Sequence, residues 1–172
     1  MTEEANQNLN ISFSKSYEEF SDAIFRYCLY QTSNREKALD LTQDTFIKTW
    51  EYISQGNKVD NLRAFLYKVA GNLIIDYRRK KKSDSLDQMT ESGFDLKDTT
   101  NEMEKTENIF EKDLALKVIE QLEEKYKDVL ILRFVEDMSV KEIAKIMHQN
   151  ENNISVRIHR GIQKLKEALE KN

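Results

Sequence analysis

The chain has 172 residues, 27 Lys plus Arg against 31 Asp plus Glu, a net charge of -4 and 39% hydrophobic residues; a mean hydropathy of -0.72 leaves no run near the ~18 apolar residues that a membrane span needs. One cysteine, Cys28, rules out an internal disulfide, and the opening MTEEANQNLN lacks the basic and apolar regions of an export signal, so a soluble protein of the cytoplasm, without membrane insertion, is the expectation. With no proline and four glycines there are too few turn residues for a many-stranded fold, which leaves an all-α protein of one or two small domains.

Residues 1–15 read as a polar N-terminal tail. From Tyr17 to Gln31 the residues Tyr17, Phe20, Ile24, Tyr27 and Cys28 recur at helical spacing and predict a first helix, with Cys28 as a small buried hydrophobe. Between Arg35 and Ile53 a second stripe, Leu39, Thr42, Phe46, Trp50 and Ile53, leaves Asp40, Asp44, Ile47 and Glu51 on another side, so the second helix has a polar outer face. Gly56-Asn57 breaks the period. From Asn61 to about Lys80, Leu62, Phe65, Leu66, Val69, Leu73 and Tyr77 predict a third helix, and the three helices share one core in a domain spanning 16–82.

Residues 83–112 have no sustained apolar period, contain Gly93 and carry 9 acidic against 3 basic side chains, which predicts a flexible acidic linker between two independently moving bodies. Periodicity returns with Leu114, Val118, Leu122, Tyr126, Val129, Leu130 and Phe134, and a second helical domain is expected over 113–172. Charge is uneven along this layout: +5 over 60–82, -9 over 83–124 and +3 over 125–172, so the overall acidity does not argue against a nucleic-acid partner.

Ser139-Val140-Lys141-Glu142 reads as a capping box, and the helix it starts carries Ile143, Ala144, Ile146 and Met147. His148-Gln149-Asn150 then makes a short turn into a last helix from about Glu151 to Leu169. At 100° per residue, Ile154, Ile158, Gly161, Leu165 and Leu169 share one face, opposite Asn152, Ser155, Val156, His159, Arg160 and Gln163. The outer set combines amide, hydroxyl, imidazole and guanidinium groups able to read base edges in a major groove, with Arg157 and Lys164 placed on the flank for phosphates. Two helices joined by a tight turn, the first box-capped and the second basic, make a DNA-binding helix-turn-helix the better reading over a solvated hairpin. There is no Gly-rich phosphate loop or H-E-x-x-H, and His148 and His159 stand eleven apart with no cysteine near, so neither an enzyme nor a metal or cofactor site is expected.

In two blocks the sequence resembles the extracytoplasmic-function group of bacterial sigma-70 family RNA polymerase sigma factors. The first block is Ala38-x-Asp40-Leu41-Thr42-Gln43-Asp44-x-Phe46-Ile47-x-x-Trp50 with Phe65-Leu66-Tyr67-Lys68-Val69-Ala70-x-Asn72-Leu73-x-x-Asp76-x-x-Arg79. The second is Val129-Leu130-Ile131-Leu132-Arg133-Phe134-x-Glu136-x-Met138-Ser139-x-x-Glu142-Ile143-Ala144, followed by Val156-Arg157-x-x-Arg160 and Leu165. The resemblance implies a region 2-like domain and a region 4-like domain that bind core RNA polymerase, melt and hold the minus-ten element and read the minus-thirty-five element. Core polymerase, through the clamp coiled coil of its largest subunit and through its flap, and promoter DNA are the partners so implied, with an anti-sigma factor as a candidate regulator. Residue by residue, Asp40, Gln43, Asp44 and Lys48 match the clamp-gripping stretch. Lys68, Asn72, Ile75, Asp76, Arg78 and Arg79 fall in the minus-ten part, where spacing independently puts Lys68, Asn72, Ile75 and Arg79 on one side of the helix. The loop Ser54 to Asp60 matches the pocket for a flipped base, and Asn152, Asn153, Ser155, Val156, Arg157, His159, Arg160 and Lys164 match the minus-thirty-five reader. The chain departs from the family pattern at Glu123, where a proline is common, at Asn153 and Ser155, and at Gly161, where alanine is usual. The competing reading is a stand-alone helix-turn-helix regulator that binds a palindromic operator as a dimer.

Overall fold

In the computed structural model, which describes residues 3–87 and 108–171, all regular structure among those residues is helical. A first body comprises α1 (Glu3–Thr32), α2 (Arg35–Ser54) and α3 (Leu62–Asp87); a second comprises α4 (Asn108–Gln121), α5 (Glu124–Leu130), α6 (Val140–Met147) and α7 (Glu151–Glu170). Among the described residues no helix is long and apolar enough to cross a membrane.

α1 begins at Glu3, so residues expected as a polar tail form its early turns. Phe13 holds this extension on α2, with its ring centroid 5.1 Å from Trp50 and 6.2 Å from Phe46, and Tyr17 lies 4.8 Å from Phe46. Asn34 caps α2 by accepting the Lys37 N–H at 2.8 Å. Three threonines enter the core of α2 because each hydroxyl donates to the carbonyl one turn back: Thr42 to Ala38 at 2.7 Å, Thr45 to Leu41 at 2.6 Å and Thr49 to Thr45 at 2.7 Å. With Ala38, Leu41 and Phe46 they make the buried line, and Leu39, expected on it, is 43% exposed. Cys28 is fully buried as expected, and burial pushes its thiol up to about 12. At pH 8 that leaves a thiolate fraction of about one in ten thousand. Cys28 should therefore resist alkylation in the native protein and react once the first body unfolds; fast modification under native conditions would contradict the packing.

α3 differs from its predicted single stripe. Leu62, Phe65, Val69, Leu73 and Tyr77 are only partly buried, while Leu66, Tyr67, Ala70 and Ile74 are the fully covered residues. The helix is covered on two sides, by α1 and α2 and by α6 of the second body. It also runs to Asp87, and α4 starts at Asn108, so residues 83–87 and 108–112 of the expected linker are helical; its remainder, 88–107, lies outside the described residues.

In the second body α5 continues as a π-helix over Ile131–Val135, where the Glu136 N–H donates to the Ile131 carbonyl at 3.0 Å. The wider turn resets the helical phase, and Phe134, expected in the core, is 58% exposed. Before α5, Glu123 adopts φ -53, close to the angle a proline would fix, which explains how the junction forms without one. The capping box is present: Ser139 Oγ accepts the Glu142 N–H at 3.2 Å, and Glu142 Oε2 accepts the Ser139 N–H at 2.9 Å. These bonds hold the Glu142 carboxyl below its usual range. Ser139→Ala should cost about 1 kcal/mol, read as a lower melting temperature of the second body. Because the Glu142 pKa is depressed on folding, its contribution is present above the unfolded pKa and lost as pH falls through the folded one, so the wild-type advantage over Ser139→Ala should shrink in acid.

Candidate nucleic-acid interface

Three outward faces collect the residues singled out by sequence, each on a different helix. On α2, Asp40, Gln43, Asp44 and Lys48 are all exposed, because the threonine line on the opposite side takes the core. Leu39 and Ile47, 54% exposed, lie among them, so the face alternates carboxylates with apolar side chains. The sequence stripe already put Ile47 outside; Leu39 it missed.

On α3, Asn72, Ile75, Asp76 and Arg79 are exposed and Lys68 is half-buried, so helical phase brings five of the six expected side chains to the outside, where Arg79 reaches Asp76 at 3.9 Å. Arg78 is different. Its guanidinium lies 3.2 Å from both carboxylate oxygens of Asp128, donates to Gln31 Oε1 at 2.5 Å and stands 3.5 Å from Glu124. Burial by itself pushes Arg78 down, but the Asp128 charge and hydrogen bonds, with Glu124, outweigh it and leave the guanidinium above its ordinary value. In this arrangement Arg78 faces α5 of the second body.

The loop between α2 and α3 turns at Gly56, whose φ of +86 suits glycine. It borders a cavity of about 580 Å³ whose walls include Tyr52, Lys58, Asp60, Phe65 and Lys68, and whose far side is Lys145 and Ile146 of α6 with His148 just after it. Tyr52 is 40% exposed with its ring centroid 4.9 Å from Phe65, a stacking surface beside the loop that the sequence reading did not single out.

On α7, capped by Asn150 accepting the Asn153 N–H at 2.8 Å, the predicted split of faces holds in the side chains. Ile154, Ile158 and Gly161 are buried, Leu165 and Leu169 partly so, while Asn152, Asn153, Ser155, Val156, His159, Arg160 and Lys164 are exposed and Arg157 is half-buried. Gly161 has a packing reason: a Cβ there would meet Leu130 Cγ at 3.2 Å and both its methyl carbons at 3.3 Å. Val156 offers a small apolar group amid donors and acceptors, a composition suited to base edges and the thymine methyl. Lys164 lies 3.8 Å from Glu123.

The expectation of two independently moving bodies is not met. Glu136, at the end of the π-turn, is a buried carboxylate that receives both Arg26 Nε at 3.2 Å and Arg26 Nη2 at 3.1 Å, together with the Tyr67 hydroxyl; Arg63 donates to its carbonyl oxygen. The Glu136 hydrogen bonds raise Arg26, and burial followed by the bond to Glu136 raises the Tyr67 phenol. A charge removed from water is held only where it is paired and hydrogen-bonded, and here the partners come from α1 and α3. Local sequence offers no signal for this, since the pairs are separated by 110 and 69 positions.

Two family models match the chain: one described as Sigma-70 region 2 over residues 16–83, and one described as Sigma-70, region 4 over residues 112–165. Among curated proteins, the ECF RNA polymerase sigma factor SigW of Bacillus subtilis (strain 168) is 27% identical, with 92% of this chain and 89% of that protein covered. RNA polymerase sigma factor SigV of the same organism is 27% identical over 86% and 85%. Among solved structures, the sigma factor RpoE in complex with the anti-sigma factor NepR from Bartonella quintana has a similar fold, with a TM-score of 0.78 at 21% identity over 92% of this chain and 97% of that one. CnrH in complex with the cytosolic domain of CnrY gives 0.69 at 18% identity over 95% and 90%.

Proposed function

Given that the chain belongs to the sigma-70 family, in its extracytoplasmic-function group, and thus acts as a sigma factor that binds core RNA polymerase and directs promoter recognition, we propose that its three outward helix faces divide that work. It is not an enzyme. The α2 face of Asp40, Gln43, Asp44 and Lys48, with Leu39 and Ile47, grips the clamp coiled coil of the largest polymerase subunit, and the second body adds a contact to the flap. Lys68, Asn72, Ile75, Asp76, Arg78 and Arg79 of α3, with the loop 54–60, open and hold the minus-ten element. Asn152, Asn153, Ser155, Val156, Arg157, His159, Arg160 and Lys164 of α7 read the minus-thirty-five element. The observation that carries this division is that most of these side chains, though not Arg78, lie outward on helices whose opposite sides supply the core, with Lys68 and Arg157 half-buried at the edge. An anti-sigma factor, such as the NepR bound to the RpoE of similar fold, is a further partner on this reading, and the cytoplasm, where core polymerase resides, is the site of action.

Reconstitution with core polymerase on genomic fragments, with transcript starts mapped, tests the function directly. Starts that require this chain and share two spaced elements are expected; tight, polymerase-independent binding to a palindrome with no new starts would instead favour the dimeric regulator. Within that assay Asn72→Ala should slow open-complex formation about tenfold, the scale of one lost specific contact, with an unchanged melting temperature. Ile74→Ala is the opposite control, costing ~2 to 5 kcal/mol of stability because Ile74, and not its partly buried neighbour Leu73, lies in the core.

A further inference from the structure

We infer that Lys125 and Lys164, set against the ring of Tyr126, form a phosphate seat on the flank of α7, and that the Glu123 carboxylate is the anion resident in it, limiting how tightly the second body holds promoter DNA. The effect on DNA rests on the assignment of α7 to the minus-thirty-five element; the seat itself does not.

The seat is assembled from two helices. Gly161 of α7 lets Leu130 of α5 approach closely, and beside this crossing Lys125 and Lys164 converge on the buried Tyr126, their ammonium groups standing 4.9 and 5.5 Å from its ring centroid. The face of the ring steadies both cations. Glu123 spans them, with Oε2 at 2.8 Å from Lys125 Nζ and Oε1 at 3.8 Å from Lys164 Nζ. One carboxylate between two ammonium groups takes the position that a pair of phosphate oxygens would occupy. The hydrogen bond from Lys125 holds the Glu123 carboxyl below its usual range, so the resident anion keeps its charge at neutral pH. As the N-cap residue of α5, Glu123 is placed to cap the helix, yet its side chain makes no capping hydrogen bond. Its carboxylate is spent on the lysine pair instead.

The position of the seat connects it to the reading face. Lys125 and Tyr126 border a cavity of about 390 Å³ together with Asn153, Val156, Arg157 and Arg160, and Lys164 follows Arg160 by one turn on the exposed side of α7. A helix that reads base edges lies in a groove about 12 Å wide with a phosphate strand along each side, so cations on its flank face phosphates. Those phosphates compete with Glu123 for the same two ammonium groups. Both ion pairs are open to solvent, with side-chain exposures of 57% for Glu123, 53% for Lys125 and 44% for Lys164, so the carboxylate is held weakly enough to be displaced. Once displaced it stays tethered beside the seat and repels the strand that replaced it. Phosphate contacts carry no sequence information. Glu123 therefore lowers affinity for all sequences alike and leaves discrimination to the base contacts of α7.

The first measurement titrates the free full chain with inorganic pyrophosphate while lysine side-chain resonances are followed by NMR. Glu123→Gln removes the charge and keeps the shape; in it the Lys125 and Lys164 signals should shift together at about fivefold lower pyrophosphate than in wild type, the scale of one unit charge ~4 Å away in water. Glu167→Gln makes the same change in net charge at another exposed site on α7 and should behave like wild type. Equal responses in wild type and Glu123→Gln, or a matching gain in Glu167→Gln, overturn the seat. The second measurement uses holoenzyme reconstituted with core polymerase on a mapped promoter. There Glu123→Gln should bind about fivefold more tightly at low salt, with a slope of log affinity against log salt steeper by about 1, and the gain should disappear when Lys125→Gln and Lys164→Gln are added. A seat that takes pyrophosphate with no change in promoter binding overturns the role of Glu123 in DNA affinity. Failure of the wild-type chain to support transcription with core polymerase counts against the functional reading and leaves the pyrophosphate titration unaffected.

Discussion

Leu130→Ala is expected to lower the melting temperature of the second body by roughly 10 to 40 °C. Leu130 is fully buried where α5 crosses α7. Truncation removes transfer free energy and leaves a cavity, ~2 to 5 kcal/mol in all. In a domain of some 60 residues each kcal/mol moves the midpoint by about 4 to 8 °C. Total stability there is only ~3 to 9 kcal/mol, so the variant should populate an unfolded second body at 37 °C and lose promoter-specific activity. Calorimetry with Cys28 alkylation run in parallel separates the bodies: the thiol should stay protected through the first transition. Gly161→Ala acts at the same spot with the opposite steric sign, since its Cβ would stand 3.2 Å from Leu130 Cγ. Up to ~1 kcal/mol gained in helix propensity is set against overpacking of ~1 to 3 kcal/mol. Combined with Leu130→Ala, the added methyl should partly fill the cavity, giving a favourable coupling of about 0.5 to 3 kcal/mol in the double-mutant cycle. Strictly additive losses would show that the two residues do not share one packing site.

The same crossing shows what sequence could and could not reveal. Periodicity and the Ser139–Glu142 box placed α7 and its two faces within a residue of their observed limits, because an isolated amphipathic helix buries one stripe and shows the other. Where a helix is covered from two directions, as α3 is by its own body and by α6, a single stripe misplaces the core, and Leu73 was expected where Ile74 is found. The π-turn adds part of a turn without a sequence marker and sends Phe134 outward. On α2 the buried line follows Thr45 and Thr49 because their hydroxyls are silenced by the helix backbone, which a hydropathy pattern scores as polar. The docking of the bodies was the least legible feature. A glutamate at the end of an apolar run looks like a surface residue until the fold brings Arg26 and Tyr67 to it, and Arg78 in a basic run looks free until Asp128 meets it.

The second large effect is expected on the α2 face, where Asp40→Lys with Asp44→Lys should weaken core polymerase binding by at least about tenfold while changing stability by no more than ~0.5 kcal/mol. Both carboxylates are exposed, and the contact they make, Asp40 to Lys37 at 3.8 Å, is a surface ion pair of small net value. The fold therefore has little stake in them, and the face is free to be shaped by a partner. Its two kinds of residue should leave different kinetic signatures. Charge at the rim mainly steers encounter, so the lysine variant should lose association rate, and most of the difference from wild type should vanish at high salt as the Debye length shrinks from about 10 Å to about 3 Å. Ile47, 54% exposed, is an apolar anchor of the kind that gains most of its value when covered. Ile47→Ala should instead raise the dissociation rate about tenfold, with little dependence on salt. If the lysine variant and Ile47→Ala both bind core polymerase like wild type, the acidic and apolar side chains of α2 only solvate a helix, and the grip on polymerase must be sought on another face.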